Sequence, residues 1–236
     1  MVDRHLGREL PDFTPPPAPG PARIEGLYVT LERLDAAAHA HDLFRAIGED
    51  VAMWDYMPYG PFHSEPAYMR WVAEMAERSD PVFYAMRDRA TERVAALASY
   101  LRITPEHGVI EIGHIAIPPV AQRSRAASEM LMRMVEWAFD AGYRRVEWKC
   151  NALNIASRRA AARLGFSWEG VFRNHMVIKG RSRDSAWFAI TEDDWPGLAA
   201  AYGAWLAPSN FDETARQRER LSDLTRLTQP TQDRGA

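Results

Sequence analysis

The residues best equipped for chemistry lie close together in the middle of the chain. Glu111 and His114 occupy a run rich in β-branched residues, 109–117, which ends at Pro118-Pro119, where a hydrogen-bonded ladder cannot continue. A carboxylate or an imidazole on such a strand can accept a proton. Strict alternation sets Glu111 and His114 on opposite faces, so a strand bulge would decide between them. Just beyond, Gln122-Arg123-Ser124-Arg125-Ala126-Ala127 puts small and basic residues at the start of a helix. Unpaired N–H groups there, together with the helix dipole, favour phosphate oxygens. A further cluster follows at Asn154 and Ser157, with Asn154 suited to cap a short helix that stops at Leu164-Gly165-Phe166.

The elements that must hold these groups follow from periodicity. Ala127, Met130, Leu131, Met134, Val135, Ala138 and Phe139 recur as one face of a helix, which Gly142 stops. Upstream, residues 27–34 alternate as a strand, and Asp35 can cap a helix running to about Ile47. Ser64 and Pro66 open another helix, with Tyr68, Trp71, Val72 and Met75 on its apolar face. Residues 81–88, 93–103 and 109–117 make an antiparallel meander, and 144–150 a further strand. Residues 168–178 and 185–190 close as a hairpin around 179–184, where Arg181 and Arg183 read as solvated charges at the tip, in preference to contacts with substrate. The aromatic segment 54–62 is either a loop folded over the core or one wall of an acceptor pocket.

The two ends differ from this middle. Residues 1–23 carry Pro11, Pro15, Pro16, Pro17, Pro19 and Pro21 and little to bury, as an extended or disordered arm would. After Asp194, Trp195, Leu198, Ala199, Tyr202, Trp205 and Leu206 form an apolar helical stripe, and Leu221, Leu224 and Leu227 suggest a second helix. These helices pack on the domain or make a homodimer contact.

Composition sets the outer bounds. The chain has 236 residues, 47% of them hydrophobic, with eight Trp and a net charge of −3. That charge argues against bulk binding of nucleic acid. Cys150 stands alone, so neither a disulfide framework nor a cysteine metal cluster is expected, and no metal is called for. No apolar run is long enough to span a membrane, and the first ten residues, MVDRHLGREL, contain no signal-peptide core. The expectation is a soluble, cytoplasmic protein.

The strand, turn and long helix, with Gln122 and Ala127 at the ends of the turn, resemble the central motif of the GNAT superfamily of N-acetyltransferases. In that family a Gln/Arg-x-x-Gly-x-Gly/Ala turn holds the pyrophosphate of acetyl-CoA. Arg125 stands where the middle glycine is usual. The likeness is to the ribosomal-protein N-terminal acetyltransferase-like branch, where this turn is often not glycine-rich; Phe172-Arg173-Asn174-His175 resembles the same branch. The Asn-x-x-Ser…Leu-Gly-Phe pattern resembles the second GNAT motif, whose Asn and Ser contact the pantetheine.

The resemblance covers residues 25–192 and leaves 1–24 as the arm and 193–236 as a helical extension. It implies an α+β domain: a strongly twisted, mostly antiparallel mixed sheet flanked by helices. The strands before and after the central helix would be parallel and splayed, with acetyl-CoA in the cleft. The implied cofactor contacts are Ile115, Ile117, Gln122, Arg123, Ser124, Arg125, Ala126, Ala127, Asn154 and Ser157. Only a neutral amine attacks a thioester, so a base or a desolvated site must remove one proton. Glu111 is the leading base and His114 its rival, the N–H of Ile115 the oxyanion donor and Ser157 the acid that assists the leaving thiolate. The acceptor would be an amine, of a small molecule or a protein N-terminus, and the acidic balance of the chain favours a cationic one. With Arg125 in place of glycine, an acyl-CoA-binding sensor without turnover is the alternative.

Overall fold

In the computed structural model, residues 6–47 and 51–228 are described. Eight strands form one sheet: β1 (Arg23–Glu25), β2 (Val29–Arg33), β3 (Val82–Asp88), β4 (Val94–Thr104), β5 (Val109–Ala116), β6 (Arg145–Asn151), β7 (Ser167–Ile178) and β8 (Arg181–Thr191). Their order is β1-β2-β3-β4-β5-β6-β8-β7, and every neighbouring pair is antiparallel except β5 and β6. The helices are α1 (Ala36–Ile47), α2 (Glu65–Ala76), α3 (Arg125–Asp140), α4 (Ile155–Arg163), α5 (Trp195–Leu206) and α6 (Leu221–Thr228). The parallel pair is joined through α3, as a crossover of this length requires.

Each face of the sheet has its own core. On one, Met130, Met134, Val135 and Ala138 of α3 pack against Ile110, Ile112, Val146 and Trp148. Truncating such a buried Met to Ala costs roughly 2–5 kcal/mol. On the other, Leu43, Ile47, Tyr68 and Val72 from α1 and α2 cover Phe83, Ala85 and Leu97. The expected cap of α1 is present, with Asp35 Oδ1 accepting the Ala38 N–H at 2.7 Å.

The terminal segments fold onto this frame. The proline-rich stretch runs along the domain: Tyr143 donates to the Pro17 carbonyl at 3.0 Å and Tyr84 to that of Pro21 at 2.9 Å. Short strand β1, which the alternation pattern did not reveal, follows it. The apolar stripe of α5 is buried within the chain, where Trp195 stacks on Phe139 and Tyr202 donates to the Leu164 carbonyl. Fully buried Glu129 on α3 accepts the N–H groups of Leu27 and Tyr28 at 2.7 and 2.6 Å, and so fixes the turn that leads into β2 beside the start of α3.

Candidate active site

The cleft begins where the parallel strands part. β5 and β6 pair at Val109↔Arg145, Ile110↔Val146 and Glu111↔Glu147, and no pairing continues beyond Glu111. The last paired residue thus stands at the mouth of the opening. Its side chain points to the face covered by α1 and α2 and is nearly inaccessible, at 2% exposure.

Bulges then override alternation around this point. Between Gly113 and Ala116 the β5 register slips against β4, and His114 adopts φ +49°. A backbone in that region re-aims its side chain. His114 turns to the same face as Glu111, where its Nδ1 lies 2.9 Å from Ser99 Oγ and its ring stacks on Phe83. The expected opposition of Glu111 and His114 is therefore corrected by a bulge. Arg102 on β4 repeats the device: it too has φ +49° at a register slip, its N–H held by Asp80, and its Nε reaches Glu111 Oε2 at 3.3 Å.

These surroundings set the protonation states. Burial raises the Glu111 pKa from 4.5 to about 7, although Lys149 and Arg102 pull it down. Desolvation wins because the pair lies out of water. The same burial, reinforced by the positive charge of Lys149 and Arg183, lowers that of His114 from 6.5 to about 4. Near neutral pH Glu111 is poised between its two forms, and His114 is an uncharged and weak base. Lys149 Nζ sits 3.4 Å from Glu111 Oε2, and its own pKa is depressed by burial.

The turn after β5 has a different character. Ser124 caps α3 by accepting the Ala127 N–H at 3.0 Å, and Gln122 Nε2 donates to the Ile117 carbonyl at 3.0 Å. Among the described residues no hydrogen bond occupies the N–H groups of Arg123, Arg125 or Ala126. The left-handed residue of the turn is Arg123, at φ +61°, whereas Arg125 opens the helix and needs no glycine. The Arg125 guanidinium lies over the rings of Tyr28 and Phe211, at 4.4 and 4.8 Å, which leaves the backbone of the turn open. Beside it is a cavity of about 1270 Å³ lined by Arg89, Arg123, Arg163, Arg216, Arg218 and Arg220 among others, with Asp88 the single acid among the described residues that line it. Three of these arginines come from the segment between α5 and α6.

The second cluster also forms. Asn154 Oδ1 caps α4 by accepting the Ser157 N–H at 3.0 Å, and Ser157 Oγ accepts from Trp148 Nε1 at 3.0 Å. Trp148 belongs to the α3 face of the sheet, so Ser157 and the Glu111–His114 pair lie on opposite sides of the cleft. The aromatic segment 54–62 is both loop and wall. Trp54 is packed among Tyr59, Phe62 and Trp71, while Tyr59 extends to within 5.4 Å of the His114 ring.

Two functional candidates, Arg102 and Lys149, escaped the sequence, and a third, Arg183, reads there first as a solvated charge. Arg102, Lys149 and Arg183 all border Glu111 or His114, yet each reads as an ordinary strand or turn charge. The hairpin turn is only Lys179-Gly180, with β8 beginning at Arg181, so Arg181 is exposed as expected but Arg183 is buried, at 9% exposure.

Comparison with known proteins bears on the same region. Residues 29–167 match the model of the acetyltransferase (GNAT) domain. A GCN5-related N-acetyltransferase from Brucella melitensis is 41% identical and superposes with a TM-score of 0.89, covering 92% of this chain and all of the other (100%). The uncharacterized N-acetyltransferase YoaA of Bacillus subtilis is 26% identical over 121 residues, 51% of this chain and 68% of that protein. At 18% identity, an acetyltransferase of the GNAT family from Bacillus anthracis shares the fold, with a TM-score of 0.63 over 72% of this chain and 98% of its own.

Proposed function

The chain belongs to the GNAT family of acetyltransferases, and from that membership we propose that it transfers an acetyl group from acetyl-CoA directly to a primary amine, of a small molecule or a protein N-terminus, within one ternary complex. The observation that carries this reading is the buried carboxylate of Glu111, its pKa raised to about 7, at the point where β5 and β6 part.

The cofactor's phosphates fit the N-terminus of α3. The open N–H groups of Arg123, Arg125 and Ala126 supply donors, and the arginine-lined cavity supplies charge. Asn154 and Ser157 border the same side of the cleft as α3, across from Glu111, where the pantetheine arm would run.

Glu111 accepts the proton that the ammonium must lose, and the free amine nitrogen bonds to the thioester carbonyl carbon. The N–H of Ile115, in the bulged segment that the β4 ladder skips, is the donor proposed for the oxygen on which charge develops. The C–S bond breaks, and the second proton that the nitrogen sheds on becoming an amide passes through the Ser157 hydroxyl, the donor proposed for the departing CoA thiolate. His114, uncharged, lines the acceptor side.

The test is to supply acetyl-CoA and a panel of primary amines, following CoA release and the mass of the products. A product heavier by one acetyl group supports the reading. Release of CoA with no acetylated amine would refute it.

A further inference from the structure

Two polar atoms around the Glu111 side of the cleft, Arg183 Nε and Trp187 Nε1, are sealed from solvent and take no hydrogen bond, while Glu111 Oε2 is held only by the longer ion-pair contacts of Arg102 and Lys149. Buried polar groups are ordinarily paired, and each exception requires an explanation. Arg183 is the most demanding of them. It is buried, and among the described residues no hydrogen bond or ion pair reaches its guanidinium. A buried cation without a counter-ion costs far more than a buried neutral group.

The local charge count points the same way. Arg102 and Lys149 flank Glu111 at 3.3 and 3.4 Å, both also lying over the ring of Trp187, at 5.3 and 5.2 Å. The nearest further acid on this face of β6, Glu147, is taken by Arg145 at 2.8 Å. Among the described residues three cations therefore share one carboxylate, and that carboxylate is half-protonated near neutral pH. His175, on β7, meets Ser185 Oγ at 2.9 Å and adds a donor or acceptor but no fixed anion.

We infer that the acceptor is a primary amine carrying its own anionic group, a carboxylate or a phosphate, which Arg183 receives together with Arg102 and Lys149 beside Trp187. The inference rests on the acetyl-transfer reading and gives its acceptor a chemical class. It reverses the expectation of a purely cationic amine drawn from the net charge of the chain, because the charge lining the site is opposite in sign to that of the whole. The geometry also orients the substrate. With Arg102 and Lys149 both at ion-pair distance from Glu111, an anion held by them keeps the neighbouring amine close to its base.

Binding of products tests this without requiring turnover. Calorimetry in the presence of CoA would compare matched pairs: N-acetylphenylalanine with N-acetylphenethylamine, N-acetylleucine with N-acetylisopentylamine, and N-acetyl-O-phosphoethanolamine with N-acetylethanolamine. The anionic member of at least one pair is expected to bind about 10- to 100-fold more tightly, the worth of a charge-assisted hydrogen bond. Arg183→Gln should close that gap and Arg183→Lys should restore part of it, with acetyl-CoA affinity confirming that each variant is folded. The carboxylate and phosphate pairs distinguish the two anions. Neutral members binding as well as anionic ones in every pair, no binding by any anionic member, or a gap that survives Arg183→Gln would each overturn the inference. Failure of all amines to be acetylated, by contrast, would strike the catalytic reading while leaving this binding result to stand or fall by itself.

Discussion

Lys149 Nζ lies 3.4 Å from Glu111 Oε2, with both side chains almost wholly out of water, at 9% and 3% exposure. Even so, the carboxylate pKa rises to about 7 instead of falling, since the cost of burying its charge exceeds what the ammonium returns.

A stability signature follows from that balance. Because the Glu111 pKa is raised from 4.5 to about 7 in the folded state, the native protein binds this proton more tightly than the unfolded chain. The contribution is favourable at low pH and is lost as pH rises through about 7. Glu111→Gln, which carries no such charge, should gain stability relative to the parent between about pH 5 and 8, by up to about 3 kcal/mol. Denaturant unfolding of both proteins across that range measures it, and parallel pH profiles would contradict it.

The arginine cavity predicts a phosphate-dependent loss. Replacing Arg216, Arg218 and Arg220 together by Gln should weaken acetyl-CoA binding and flatten its dependence on salt. Affinity for acetyl-pantetheine, which lacks the phosphates, should be unchanged. A loss that is equal for the two ligands would mean that these residues support the fold, not the nucleotide.

Asn154 offers a separation of structure from binding. Its Oδ1 caps α4, and Asp caps as well as Asn, so Asn154→Asp should keep the thermal midpoint. It loses an amide donor and gains a charge in the cleft, so acetyl-CoA binding should fall. Unchanged affinity in a stable variant would reduce Asn154 to its capping role.

What could be read from the chain, and what could not, divides along the range of the interactions. The turn from β5 into α3 and the cap at Asn154 are local, fixed by prolines, small residues and side-chain reach, and they appear where the spacing placed them. The shared face of Glu111 and His114 depends on a bulge at φ +49°, which no residue type at 114 announces and only the mismatch of β4 with β5 produces. The preference for a solvated Arg183 failed for a related reason. The hairpin turn is two residues long instead of six, which carries Arg183 from the tip into the sheet. The burial of the α5 stripe against Phe139 and Leu164 also needed the tertiary arrangement, as amphipathicity shows an apolar face but not what covers it.

The proton-accepting role of Glu111 is tested most directly by the pH dependence of turnover. With an amine identified in the panel and acetyl-CoA in excess, initial rates of CoA release would be measured for the parent, Glu111→Gln and His114→Gln. The parent should show a limb rising through about pH 7, the pKa of Glu111. Glu111→Gln should lose about 10²- to 10⁴-fold in turnover together with that limb, and recover partly at high pH where free amine is abundant. His114→Gln should keep the limb. A Glu111→Gln enzyme that retained both the rate and the limb, while His114→Gln lost them, would contradict the account and make His114 the base.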